Sequence, residues 1–115
     1  MAITNTDIGS VNTPIYTSTG TNAITTVIVC NTAVYDPGNP LTGLTYLYLY
    51  AVPSGSATTD TQLIVNKLPI PAGETVFFSD ERIVLRGSST YGNDQIRATA
   101  STGNLLSITV SALPV

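Results

Sequence analysis

The sequence predicts an all-β protein: an antiparallel two-sheet β-sandwich of jelly-roll or immunoglobulin-like topology, with about eight short strands. Apolar residues recur at every second position in several short segments, and Gly or Pro stands at nearly every break between them. No useful length of chain shows the three-or-four spacing of an amphipathic helix. At 115 residues the chain is long enough for one domain, which we place at residues 14–115, after an N-terminal arm at residues 1–13.

The N-terminal segment, residues 1–13, is predicted to be a polar arm. Its apolar residues, Ile3, Ile8 and Val11, are scattered, and neither a helical nor a strand period emerges. Such a segment becomes ordered only when something holds it. A first short strand is predicted at residues 15–17, followed by a turn at residues 18–22.

Two of the predicted strands, at residues 23–31 and 44–52, are apolar on both sides. In the second, Leu47, Leu49 and Ala51 alternate with Tyr46, Tyr48 and Tyr50. In the first, Ile24, Thr26, Ile28 and Cys30 alternate with Thr25, Val27 and Val29. Because both sides of each strand need cover, we place these strands centrally, and Cys30 is predicted to be a small core residue.

The remaining strands are predicted at residues 62–68, 75–78, 82–85, 94–100 and 106–112. The last two each have one apolar and one polar side; in the segment 94–100 the polar side comprises Gln95, Arg97 and Thr99. We expect these two strands to form a hairpin through residues 101–104 and to lie toward solvent.

The composition excludes several classes of function. Only 10% of the residues are charged and the net charge is −3, so the four Lys and Arg residues form no basic stripe for a phosphate backbone, and nucleic acid is not an expected partner. The N-terminus lacks the features of a secretory signal, and no apolar run is long enough to span a membrane. Cys30 is the single cysteine, so no intrachain disulfide can form.

No pattern of catalytic or metal-binding residues is present, and we expect neither an enzyme nor a cofactor. The chain contains no His, which is the commonest general base and metal ligand. Adjacent Asp80 and Glu81 point in opposite directions in an extended chain, so they are poorly placed to act together beside Arg82. The turn residues Asp36, Asp60, Asp80 and Asp94 are interpreted as carboxylates that bond to nearby backbone amides.

The tyrosine row admits three interpretations: core, protein interface or sugar-stacking platform. We favour the interface, because Leu47, Leu49 and Ala51 already supply a core side and tyrosine offers a large contact area with a hydroxyl. The candidate interface residues are Tyr46, Tyr48 and Tyr50, together with Ile3, Ile8 and Val11 of the arm.

Several segments together resemble small β-rich virion proteins of tailed bacteriophages, notably cyanophages. The resemblance runs from about Ile15 to the C-terminus, and its segments appear in a distinctive order. They are Ile15-Tyr16-Thr17-Ser18-Thr19-Gly20, Ala23-Ile24-Thr25-Thr26-Val27-Ile28-Val29-Cys30-Asn31-Thr32, Tyr50-Ala51-Val52-Pro53-Ser54-Gly55, Ile70-Pro71-Ala72-Gly73-Glu74-Thr75 and Asp94-Gln95-Ile96-Arg97-Ala98. Gly92-Asn93-Asp94 stands where the family usually has Gly-Asp.

The resemblance implies a structural role in a phage particle, assembled in the host cytoplasm, with no catalytic residues. A capsid decoration (cement) protein fits best: it would bind the major capsid protein or other virion proteins, bridge neighbouring capsid subunits and form a homo-oligomer, with a trimer favoured. A neck, tail or baseplate subunit is the alternative, and a carbohydrate-binding module comes third. A lone cysteine fits a reducing compartment.

Overall fold

A computed structural model describes residues 2–79, 83–101, 103 and 105–115, and it confirms the all-β prediction. The described part contains eleven strands and one short 3-10 turn, η1 (Asp60–Gln62), with no α-helix. The strands are β1 (Ala2–Ile8), β2 (Thr13–Thr17), β3 (Asn22–Asn31), β4 (Thr45–Val52), β5 (Leu63–Ile70), β6 (Thr75–Phe78), β7 (Ile83–Leu85), β8 (Gly87–Ser88), β9 (Gly92–Asn93), β10 (Gln95–Ala100) and β11 (Leu106–Pro114).

The strands form two main antiparallel sheets. Sheet A has the order β1-β11-β3-β6, with β7 also paired to β3, and sheet B has the order β2-β10-β4-β5. The pairs nest around the connection between β4 and β5: β4 pairs with β5, β3 with β6, β2 with β10 and β1 with β11. This wrapping is a jelly roll, so of the two predicted topologies the immunoglobulin-like one is wrong.

The core lies between the two sheets and is built from the alternating inward residues of the central strands. Leu47 and Leu49 of β4 belong to one buried cluster with Val29 of β3 and with Ile108 and Val110 of β11. Period two therefore determines the inner side of β4 as predicted. The central positions of β3 and β4 are likewise confirmed.

Strand β3 departs from strict alternation at a β-bulge. Ser111 pairs with Thr26 whereas Ala112 pairs with Ile24, so one extra β3 residue is accommodated between them. The bulge reverses the phase: Ile24 faces the core before it, and Val27 and Val29 face the core after it. Cys30 is consequently only half-buried on the outer side, and its prediction as a core residue was wrong.

The N-terminal segment forms a strand, so its prediction as an irregular arm was wrong. β1 pairs with β11 in regular register from Ala2↔Ala112 to Ile8↔Leu106. The Thr4 hydroxyl also donates to the Ile15 carbonyl at 3.0 Å. The long strand β11 supplies the partner for polar residues whose own sequence shows no strand signal, and Ile8 becomes fully buried.

The two last strands are central, and their predicted hairpin and solvent-facing positions were wrong. β10 lies between β2 and β4 in sheet B, whereas β11 lies between β1 and β3 in sheet A. Residues 101–104 therefore connect the two sheets; residues 102 and 104 lie outside the described part. The predicted alternation within each strand is confirmed, since Ile96, Ala98 and Ala100 are buried.

The long connection from β3 to β4 is fastened by one buried amide. Asn31 donates through Nδ2 to the carbonyls of Gly43 at 2.8 Å and Ile70 at 2.9 Å, and its Oδ1 accepts from the Ala33 N–H at 3.0 Å. Gly43 has φ +80°, and a Cβ there would stand 2.7 Å from the Ala33 Cβ, so only glycine fits. The connection is thereby held against the start of β4.

Candidate interaction site on the tyrosine face

The three tyrosines of β4 lie side by side on the outer side of sheet B. Tyr46, Tyr48 and Tyr50 are half-buried and stand outside the core cluster, opposite Leu47 and Leu49. We call the surface formed by these tyrosines and the outward residues of β10 beside them the tyrosine face. The core interpretation of the tyrosines is therefore wrong.

Each tyrosine has fixed neighbours across the sheet. Tyr48 pairs with Thr99 and Tyr50 with Arg97 of β10, and Tyr46 pairs with Pro69 of β5. These pairings place large rings directly beside a polar strand.

A lysine covers one end of the row. The Lys67 amine lies 5.3 Å from the centre of the Tyr46 ring, within the range of a cation–π contact. Lys67 has φ 55°, in the left-handed region, and lies where the β4–β5 register shifts between Leu47 and Leu49. The irregular register thus brings a positive charge over the face.

Arg97 is held in place by the segment before β2. Its Nε donates to Asn12 Oδ1 and its Nη2 to the Asn12 carbonyl at 3.2 Å, while Nη1 donates to Gln95 Oε1 at 2.8 Å. Asn12 Nδ2 in turn donates to Thr99 Oγ1 at 3.3 Å, and Gln95 Nε2 donates to Thr17 Oγ1 at 3.1 Å. The result is a hydrogen-bonded polar row along β10.

Part of this polar row was visible in the sequence and part was not. The outward direction of Gln95, Arg97 and Thr99 follows from alternation, and the structure confirms it. Asn12 was missed because it lies in the segment predicted as an arm, and no local signal joins it to a residue 85 positions away.

The tyrosine face has the opposite charge from the protein as a whole. None of the four strands of sheet B contains Asp or Glu, and their charged residues are Lys67 and Arg97. All seven acidic residues of the chain therefore lie outside these strands, although the net charge is −3. The face is positive on an acidic protein.

The three predicted arm contacts are separated by the fold. Ile3 is 64% exposed, but it pairs with Ser111 on the outer side of sheet A, away from the tyrosines. Val11 is 74% exposed and adjoins Asn12, at the margin of the tyrosine face. Ile8 is completely buried, so its assignment to an interface was wrong.

Two of the four acidic turn residues, Asp36 and Asp94, behave as structural groups. The Asp36 carboxylate accepts from the Gly38 N–H at 2.9 Å, and Asp94 accepts from the N–H groups of Ser54 and Arg86, each at 2.9 Å. Both confirm the turn interpretation. Asp60 lies in η1, and the predicted corner of Asp80, Glu81 and Arg82 lies outside the described residues.

Asp94 is the most strongly held of these carboxylates. Its Oδ1 also accepts from the Tyr91 hydroxyl at 2.9 Å, and the Arg86 guanidinium stacks 3.8 Å from the centre of the Tyr91 ring. Desolvation by burial raises the pKa of Asp94, but the two backbone N–H groups, the Tyr91 hydroxyl and the Arg86 charge outweigh it and lower the pKa below its ordinary value of 3.8. The ionised carboxylate therefore links the segments that contain Ser54, Arg86 and Tyr91.

An apolar cleft of about 330 Å³ lies between the two sheets, at the edge formed by β5, β6 and β7. Leu49, Val65, Phe78 and Ile83 contribute to its lining, and every lining side chain is apolar. The cleft therefore offers no acid, base or nucleophile. In the same described part of the chain, no group of three or more Cys, Asp or Glu residues could hold a metal ion.

Comparisons with protein-family models, with curated proteins and with solved structures found no match to this chain. Over the residues that the structure describes, no helix has the length and apolar character needed to cross a membrane.

Proposed function

We propose that this protein is a non-enzymatic structural subunit of a tailed-phage virion, a capsid decoration (cement) protein that bridges neighbouring capsid subunits. The observation that carries the proposal is the tyrosine face, which sets three half-exposed rings beside a fixed arginine. Tyrosine and arginine are the residues most enriched at the energetic centres of protein interfaces. That this face acts in a phage particle is inferred from the sequence resemblance described above.

The rigidity of the face favours tight binding. Arg97 is already held by Asn12 and Gln95, so it loses little side-chain freedom when a partner binds. The tyrosines project from a central strand with pairing partners on both sides. Because these side chains are already ordered before binding, less conformational entropy is lost when the partner binds.

The charge of the face defines the chemistry of its partner. Lys67 and Arg97 are the charged residues of sheet B, so the complementary capsid surface carries carboxylates or clustered carbonyl oxygens. Binding is then weakened by added salt, because the Debye length over which exposed charges attract each other is about 8 Å at physiological ionic strength and shortens as the salt concentration rises.

The jelly-roll fold and repeated attachment support the same function. Viral capsid domains commonly use this wrapping, and this analogy of fold supports the proposal. On a symmetric shell, each subunit of a homo-oligomer meets identical sites on the major capsid protein, and simultaneous weak contacts give strong attachment. The same face would serve a neck, tail or baseplate subunit, and imaging of intact virions distinguishes these places in the particle.

A carbohydrate-binding module is a second candidate. Lectin domains share the jelly roll, and aromatic rings next to a hydrogen-bonded polar row can stack on sugar rings and bond to their hydroxyls. The pairing of Tyr48 with Thr99 is the observation that favours it. A glycan array with the purified protein tests this candidate, and a positive signal lost in Tyr48→Ala would support it over the virion role.

The central experiment measures binding of Tyr48→Asp to phage heads lacking the protein, by co-sedimentation. We expect binding to fall at least about tenfold, a loss of about 1.4 kcal/mol, while thermal unfolding stays close to wild type because the side chain is outside the core. Tyr35→Asp is the matched control, since Tyr35 is 52% exposed and lies in the β3–β4 connection, outside the strands of sheet B.

Two results would overturn this proposal. One is equal binding of Tyr48→Asp, Tyr35→Asp and wild type to the heads. The other is unfolding of Tyr48→Asp as severe as that of Leu49→Asp, which would return the tyrosines to the core.

A further inference from the structure

The free edge of β1 differs from every other sheet edge in the described structure. β1 is the terminal strand of sheet A, and its seven residues pair with β11 without a register shift. It contains neither Pro nor Lys, and its single charged residue is Asp7. A long, regular and nearly uncharged edge exposes a row of backbone groups that another strand can pair with.

The other edges carry features that oppose strand addition. In sheet B, β5 contains Lys67 and Pro69 and has shifts in its register with β4, and β2 contains Pro14 beside a register shift. In sheet A, β6 and β7 have four and three residues. Lysine, proline, bulges and short length are the usual protections of an edge, and β1 has none of them.

The hydrogen bonds of β11 show which β1 groups face outward. The Leu105 carbonyl accepts from the Thr32 N–H at 2.7 Å, and the Ser111 carbonyl accepts from Thr25 Oγ1 at 3.1 Å. The backbone N–H and C=O groups of the odd-numbered residues of β11 therefore point toward β3. Because these backbone groups alternate along a strand, the N–H and C=O groups of the even-numbered residues of β11 point toward β1. Their partners in β1 are even-numbered as well, for example Thr4↔Val110.

The odd-numbered residues of β1 therefore point their N–H and C=O groups away from sheet A. These residues are Ile3, Asn5 and Asp7. Because β1 is terminal in its sheet, no described strand pairs with it on that side. Three donors and three acceptors are thus presented in a straight row.

We propose that β1 pairs antiparallel with β1 of a second copy of this chain, across a two-fold axis at Asn5. Asn5 then lies opposite the partner's Asn5, and Ile3 opposite the partner's Asp7. The three facing pairs form about six backbone hydrogen bonds and join the two copies of sheet A into one continuous sheet.

A second copy is the partner that the strand itself specifies. In this register each Asp7 meets an isoleucine, whereas a register centred on Asp7 would oppose two carboxylates. The pairing uses the β1 edge of both copies, and the remaining edges are protected, so association stops at a closed pair instead of continuing into a fibre.

The contact goes beyond the proposed capsid function and does not use its surface. β1 belongs to sheet A, whereas the tyrosines lie on the outer side of sheet B. One subunit can therefore bind a second copy of the chain through sheet A and the capsid surface through sheet B.

The test is the dissociation constant of the purified full chain, measured by sedimentation equilibrium over a concentration series. Asn5→Lys places two ammonium groups opposite each other at the two-fold axis, and we expect it to weaken the pair at least about tenfold, with partial recovery in high salt. Asn66→Lys is the matched control, because Asn66 is exposed on the protected edge strand β5 and should leave the constant unchanged.

A proline variant tests the backbone directly. Asn5→Pro removes an N–H that points to the partner and leaves the backbone β1–β11 ladder intact, although it also removes the exposed hydrogen bond from Thr109 Oγ1 to Asn5 Oδ1 at 2.8 Å. We expect it to weaken the pair and to destabilise the monomer less than a proline within the ladder does. Thr6→Pro removes an N–H of the ladder itself and should destabilise the monomer. If Asn5→Pro does not fold, Asn5→Lys still decides.

The proposal is overturned if the wild type stays monomeric throughout the series. It is equally overturned if Asn5→Lys and Asn66→Lys dissociate with the same constant. Tyr48→Asp should retain the pair, so failure of the capsid proposal and failure of this one give different results.

Discussion

Strands β3 and β4 occupy equivalent central positions in the two sheets, and both carry large side chains on both sides, yet they use this pattern differently. β4 keeps strict alternation from Thr45 to Tyr50, whereas β3 changes phase at its bulge. As a result β4 turns tyrosines outward and β3 turns Ile28 and Cys30 outward. When a strand is apolar on both sides, the sequence does not determine which side faces the core, so a bulge can exchange the two sides.

The largest expected effect separates two isoleucines of β3 that strict alternation would place on the same side. Ile24 is 3% exposed and faces the core before the bulge, whereas Ile28 lies on the outer side after it. We expect Ile24→Ala to lower the free energy of unfolding by about 2–5 kcal/mol and Ile28→Ala by about 1 kcal/mol.

Urea denaturation of both variants measures this difference under one set of conditions. Equal losses of stability would mean that the bulge does not set the phase of β3 in solution. Leu47→Ala and Tyr48→Ala in β4 provide the corresponding comparison for a strand whose own alternation of buried and half-buried residues is unbroken from Thr45 to Tyr50.

A smaller loss of stability is expected when Asp94, which joins the end of β4 to the end of β7, is replaced. Asp94 accepts the N–H of Ser54, which follows β4, and of Arg86, which follows β7. Asp94→Ala leaves both donors without this partner, and we expect a loss of about 1–2 kcal/mol because the site is partly open to water. Asp36→Ala, which removes one exposed turn contact, should cost less.

The Asp94 contribution also depends on pH. Its pKa is lowered in the folded protein, so the folded state favours the ionised form, and the stabilisation is fully present above the ordinary value of 3.8. It is lost as the pH falls through the folded pKa. The difference in unfolding free energy between wild type and Asp94→Asn should therefore be larger at neutral pH than in acid, and a constant difference would contradict this assignment.

The smallest effect concerns Cys30, which strict alternation would place with Ile24 on the core side. Because Cys30 is half-buried on the outer side, we expect Cys30→Ser to change the unfolding free energy by no more than about 0.5 kcal/mol. Val29→Ser, at the buried neighbouring position, should cost several times more. Thermal unfolding of the two variants distinguishes these outcomes, and a costly Cys30→Ser would place the thiol back in the core.

Local pattern was sufficient for the strands whose two sides differ or whose alternation is unbroken. It predicted β6 at residues 75–78, the inward direction of Leu47 and Leu49, and the outward direction of Arg97. In each case a residue's own neighbours determine its environment, since period two alone assigns the side.

Features that depend on distant partners could not be read in this way. β1 carries no strand signal of its own and becomes a strand because β11 offers it an edge. The fixed orientation of Arg97 similarly requires Asn12, which is far away along the chain. The short turn at residues 101–104 suggested a hairpin, yet both strands find stronger partners in separate sheets.

The nested order of the strand pairs has a consequence for the time course of folding. β4 and β5 are close in the chain and can pair early, whereas Ile8 must wait for Leu106, because a loop of nearly the whole chain has to close first. During synthesis β1 emerges long before its partner exists. Until β1 docks, the edge of β11 stays open, so the interval before that closure is when the newly made chain is most exposed to aggregation.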